Sequence, residues 1–66
     1  MTDILDIYRA AKLVVDGHGE DAPLYAAAGT AVLAGAGDVE GAAIWRQITT
    51  AVEELQQERR PGEAVN

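Results

Sequence analysis

The sequence predicts an all-α protein, an up-down-up bundle of three helices. Three observations predict it. Apolar residues recur at helical spacing in three stretches, glycines near positions 17 and 37 separate those stretches, and no run of alternating residues competes as a strand. The run Leu13-Val14-Val15 is too short for a strand of its own and is soon followed by Gly17. Short connections make consecutive helices antiparallel neighbours.

The first helix is expected over residues 3–16. Ile4, Ile7, Tyr8, Ala11, Val14 and Val15 share one face at 3.6 residues per turn. Thr2 or Asp3 can cap its start, and Gly17 stands where a left-handed residue would end it. Leu5 and Leu13 fall off the apolar stripe, Leu13 projecting between Asp6 and Arg9.

The second helix is expected over residues 22–36, with Asp21 as N-cap and Pro23 in the first turn, where its missing N–H is no loss. No charged residue lies between Asp21 and Asp38. Leu24, Tyr25, Val32 and Leu33 cover about half of the circumference, and Ala26, Ala27, Thr30, Ala31 and Ala34 form a small-residue side that lets another helix approach closely. Gly29 and Gly35 each weaken the helix by about 1 kcal/mol relative to Ala.

The third helix, residues 39–59, carries the clearest pattern. Ile44, Trp45, Ile48, Ala51, Val52 and Leu55 form one apolar seam, and Arg46, Gln47, Thr50, Glu53, Glu54, Gln57 and Glu58 cover the other side. Gly37 can end the second helix and Asp38 can cap the third; Arg59 and Arg60 suit its negative end, and Pro61-Gly62 stops it. One domain over residues 1–60 and a mobile tail over 61–66 follow. The expected core is Ile4, Ile7, Tyr8, Ala11, Val14, Leu24, Val32, Ile44, Trp45, Ile48, Val52 and Leu55.

Composition narrows the function classes. A chain of 66 residues forms a thin core, and with no cysteine it has neither disulfides nor thiolate metal sites to support it. Good helix packing or self-association has to supply the stability. A formal charge of -6 disfavours nucleic-acid phosphates and acidic membranes as partners. The uncharged stretch of the second helix is shorter than the roughly 20 residues a spanning helix needs. The N-terminal residues show no signal-peptide pattern, so the cytoplasm is the expected compartment.

Chemistry-bearing patterns are sparse. Residues 16–21 gather three carboxylates around His18, the only histidine, which suggests a metal or acid/base site. Helix caps and a turn account for the same residues, so no metal and no cofactor are expected. Glycines 35, 37 and 41 open a helix as phosphate-binding turns do, but the preceding strand of a dinucleotide fingerprint is missing. There is no serine, and no threonine has a nearby histidine to activate it.

The words His18-Gly19-Glu20-Asp21-Ala22-Pro23, then Gly37-Asp38 with Gly41, Trp45 and Ile48, resemble small uncharacterised helical proteins of alphaproteobacteria. The resemblance spans about residues 4–55 and implies no activity, so no site residue transfers. Gly29 and Thr30 depart from the charged helix surface expected there. Residues 22–55 are also similar in outline to one tetratricopeptide helical hairpin, with Gly37-Asp38 at the turn and Ala42 after it. That resemblance implies protein binding; the mid-helix glycine is displaced to Gly29 and no proline closes the unit.

The expected function is therefore a non-catalytic interaction or regulatory protein that self-associates or docks on a protein partner, with Leu5, Leu13, Ala27, Thr30 and Ala34 as candidate contacts. The alternative is an acidic inhibitor that mimics nucleic acid in a basic groove. A metal-dependent enzyme using His18 ranks behind both.

Overall fold

A computed structural model describes residues 3–58. The fold is all-α. Helix α1 spans Ile4–His18, a single 3₁₀ turn follows at Gly19–Asp21, α2 spans Ala22–Gly35 and α3 spans Val39–Glu58. The expected tail at 61–66 and the basic pair Arg59-Arg60 lie outside the described residues.

The up-down-up bundle of three helices is corrected. No non-helical residue separates α1, the 3₁₀ turn and α2, so the described chain forms two helical stretches, residues 4–35 and 39–58. The physical reason lies in the glycines. Gly17 has a negative φ and continues α1 as an ordinary helical residue, whereas Gly19, at φ 57° and ψ -124°, takes the positive-φ, non-helical conformation that ends α1 two residues later. The path breaks at Gly19 and tightens at once into one 3₁₀ turn that leads into α2 with no loop between. Asp21 takes the expected N-cap position of α2, but with helical backbone angles and no side-chain cap bond. Asp3 precedes α1 in an extended conformation, and its carbonyl, not its side chain, takes the amides of Asp6 and Ile7.

The reversal between α2 and α3 follows the sequence. Gly37, at φ 84°, supplies the left-handed residue. Its N–H donates to the Ala34 carbonyl at 3.1 Å and that of Asp38 to Leu33 at 2.9 Å, the paired bonds of a Schellman ending. Asp38 then caps α3, its Oδ1 accepting the Gly41 N–H at 2.9 Å. A Cβ on Gly41 would run into that carboxylate, so the glycine makes room for the cap.

Two contacts fix how α1 meets α3. The Tyr8 hydroxyl donates to Glu54, and the Gln56 amide donates to the Gly19 carbonyl at 2.6 Å. Tyr8 and Gly19 are separated by about 16 Å of helix, Glu54 and Gln56 by about 3 Å. Helix α1 therefore runs across the C-terminal part of α3. A parallel α1 and α3, as the up-down-up order requires, would set Tyr8 near the start of α3 instead.

The core sits at this crossing. Ile7, Ala11, Val14 and Val15 of α1 pack with Ile48, Ala51 and Val52 of α3 and with Ala22, and Ile44, Trp45 and Leu55 close over them half-buried. Val52 has no exposed surface. Four expected core residues are corrected. Ile4, Tyr8, Leu24 and Val32 are exposed. Ile4 opens α1 at its outer end, and Tyr8 points its hydroxyl at Glu54 rather than into the cluster. Leu24 and Val32 lie on the side of α2 away from its buried Ala22 and Ala26, where no other described element covers them.

The continuous helix makes a prediction. A Cβ at Gly17 meets nothing within 4 Å, and its backbone is helical. Gly17→Ala is expected to raise stability by up to about 1 kcal/mol in denaturant unfolding. Were Gly17 a left-handed hinge, the same change would cost about 1–2 kcal/mol.

Candidate functional site

Helix α2 has two unlike sides, one packed against α3 and one open. Ala22 and Ala26 are buried, and Gly29, Thr30 and Leu33 are half-buried. At Gly29 the helix meets the Trp45 ring of α3, whose Cε3 lies 3.2 Å from where a Cβ would stand. The displaced mid-helix glycine thus has a packing reason: it lets the indole lie against the α2 backbone. Thr30 is corrected as a candidate contact, because it is half-buried and its hydroxyl donates to the Ala26 carbonyl at 3.1 Å.

The opposite side of α2 is open and uncharged. Leu24, Ala28, Ala31 and Gly35 follow at the i, i+4, i+7, i+11 spacing of one helix face, with Ala27, Val32 and Ala34 beside them, all exposed. Leu24 and Val32 are 71% and 70% exposed. The other candidate contacts, Leu5 and Leu13 on α1 and Ala27 and Ala34 on α2, are exposed too. A helix that is apolar all round is normally covered on both sides. Here α3 covers one.

Residues 16–21 do not form a metal cradle. Among the described residues no three His, Cys, Asp or Glu side chains are placed to hold an ion. Asp16 instead takes the Lys12 ammonium at 3.1 Å. The His18 ring stacks on Tyr25, with centroids 3.9 Å apart and planes 18° from parallel, and Tyr25 meets Trp45 edge-on at 6.0 Å. This aromatic series ties the end of α1 to α2 and α3. The pairing of His18 with Tyr25 has no periodic signal in the sequence, because the break at Gly19 and the 3₁₀ turn bring the two rings together.

A second feature is an open groove between α1 and α3, lined by Tyr8, Glu54, Leu55, Gln57 and Glu58. Its one hydrogen bond, from Tyr8 to Glu54, holds the phenol above its ordinary range, because ionisation would forfeit that bond; partial desolvation and the negative Glu54 and Glu58 act in the same direction. A phenol pushed upward stays protonated at neutral pH and is a poor base or nucleophile there.

Compared with protein-family models, curated proteins and solved structures, the chain matches none. No helix among the described residues is long and apolar enough to cross a membrane.

The Tyr8 contact is testable by titration. The folded phenol titrates above its ordinary value of 10.0, so the contribution of this contact is fully present below about pH 10 and is lost as pH rises through the higher folded value. Phenolate absorbance, taken as the difference between the protein and its Tyr8→Phe variant, should show Tyr8 ionising above 10.0, and Glu54→Gln should bring it back toward that value. An unchanged Tyr8 titration in Glu54→Gln would contradict the assignment.

Proposed function

We propose that this chain is a non-catalytic, cytoplasmic interaction protein that binds protein through the outer face of α2. One observation carries the reading: Leu24, Ala28, Ala31 and Val32 leave an apolar strip open to solvent on a helix with no charged residue. Open apolar surface of this kind, bordered by polar residues, is a feature of protein contact sites. The border here is acidic, with Asp21 and Glu20 before α2 and Asp38 and Glu40 after it.

The bulky apolar side chains strengthen the reading. Ile4, Leu5, Leu13, Leu24, Val32 and Val39 are each at least 60% exposed. Each such side chain gains about 1.5–3 kcal/mol when fully covered. A chain whose whole fold is worth roughly 3–10 kcal/mol gains much from a contact that covers even two of them.

The test places a photo-reactive side chain at Ala28, on the strip, and separately at Gln47, an exposed position on α3, in cells that express the chain. Covalent protein adducts are expected from Ala28 and not from Gln47. Equal labelling from both positions, or none from Ala28, would overturn the reading.

A further inference from the structure

We infer that Gly19 is a hinge and that this chain has a second, domain-swapped form. In it residues 4–35 run on as one helix, kinked at Pro23, and α1 packs on α3 of a second copy about a two-fold axis.

The junction is the first argument. Helix α1, the 3₁₀ turn and α2 follow one another with no loop, and Gly19 is the one residue between 4 and 35 with a positive φ. His18 and Asp21, on either side, already have right-handed helical angles. Neither makes a side-chain cap bond, so no cap has to break when Gly19 turns helical. One residue's backbone thus separates the closed chain from a straight one.

What α1 packs on is the second argument. Its buried residues Ile7, Ala11, Val14 and Val15 meet Ile48, Ala51 and Val52 of α3, and Ala22 is their one fully buried companion from α2. The core contact therefore lies across the hinge from α2, and α3 of a second copy offers the same surface. A swap re-forms each α1–α3 contact twice and needs no new complementary face. Charge does not oppose the exchange of α1. Its ion pairs, Asp6 with Arg9 and Lys12 with Asp16, are internal and travel with the helix.

Two features hold the closed form. The His18 ring stacks on Tyr25 with centroids 3.9 Å apart, and the Gln56 amide meets the Gly19 carbonyl at 2.6 Å. Seven residues of straight helix span about 10 Å, so straightening parts the two rings. Pro23 is harmless at the start of α2, but in the interior of a longer helix it lacks an N–H and crowds the carbonyl four residues back, here that of Gly19. The closed monomer accordingly prevails in dilute solution, and the swapped dimer forms at high concentration.

Sedimentation equilibrium of the full chain, from about 1 µM to about 1 mM, tests this in the wild type, Gly19→Ala and Pro23→Ala. A Cβ at Gly19 meets nothing within 4 Å, so Gly19→Ala acts through the backbone alone and disfavours the closed form roughly tenfold per chain. Pro23→Ala frees the straight form of its interior proline, worth roughly a hundredfold per chain. Both variants are expected to pass from 6.9 kDa to twice that mass at lower concentration than the wild type, with helical circular dichroism kept. In dimer made from labelled and unlabelled chains, nuclear Overhauser contacts between Tyr8 and Glu54 should join different copies, and those between His18 and Tyr25 should vanish. Ala28→Glu, on the α2 strip, should leave this dimer intact, which separates it from any pairing through that strip. Pro23→Ala decides the matter even if Gly19→Ala loses its fold. Pro23→Ala staying a folded monomer at every concentration, a dimer that keeps Tyr8 on Glu54 within one copy, or a dimer abolished by Ala28→Glu would overturn the inference.

Discussion

The rest of the structure depends on α3 meeting both other helices at once. Ile48, Ala51 and Val52 receive Ile7, Ala11, Val14 and Val15 from α1, while Trp45, a turn earlier, lies against Gly29 of α2. Nearly all of the bulk in the core is at the first of these contacts. The second works by the opposite means: α2 offers alanine and glycine, so one indole fills the space that several larger side chains would take. A chain without phenylalanine and with a single tryptophan has to spend that tryptophan where the neighbouring backbone is bare.

Much of this was legible in the sequence. The seam of α3 at Ile48, Ala51 and Val52, and the α1 stripe at Ile7, Ala11, Val14 and Val15, repeat every three to four residues, and that periodicity fixes which side is buried regardless of what covers it. The 36–38 reversal was legible for a different reason: Gly37 and Asp38 meet local backbone demands that tertiary packing does not alter. The junction of α1 with α2 was not legible. Gly17 and Gly19 are both glycines in a polar stretch, and local chemistry allows either to turn left-handed. The break falls at Gly19, beside the His18 ring on Tyr25 and the Gln56 amide on the Gly19 carbonyl, contacts that local sequence does not announce.

Helix α2 was the hardest element to read for a related reason. Its apolar residues surround the axis, so periodicity gives no inward side. The sequence favoured the bulky residues Leu24 and Val32 as core; the structure buries Ala22 and Ala26 instead. Close approach of α3 is made over Ala22, Ala26 and Gly29, and Leu24 and Val32 are left outward. The open strip is therefore a consequence of how the core is built. The same choice that brings Trp45 onto Gly29 turns Leu24 and Val32 to solvent, which links the packing of a thin core to the surface proposed for recognition.

Helix α1 lies across the far end of α3 and runs on through Gly17. Nuclear Overhauser contacts of the Tyr8 ring in the isotope-labelled chain test it most directly. Contacts are expected from Tyr8 to the side chains of Glu54, Leu55 and Glu58. Contacts from Tyr8 to the first turns of α3, around Val39 to Ala43, would show α1 parallel to α3 and contradict it.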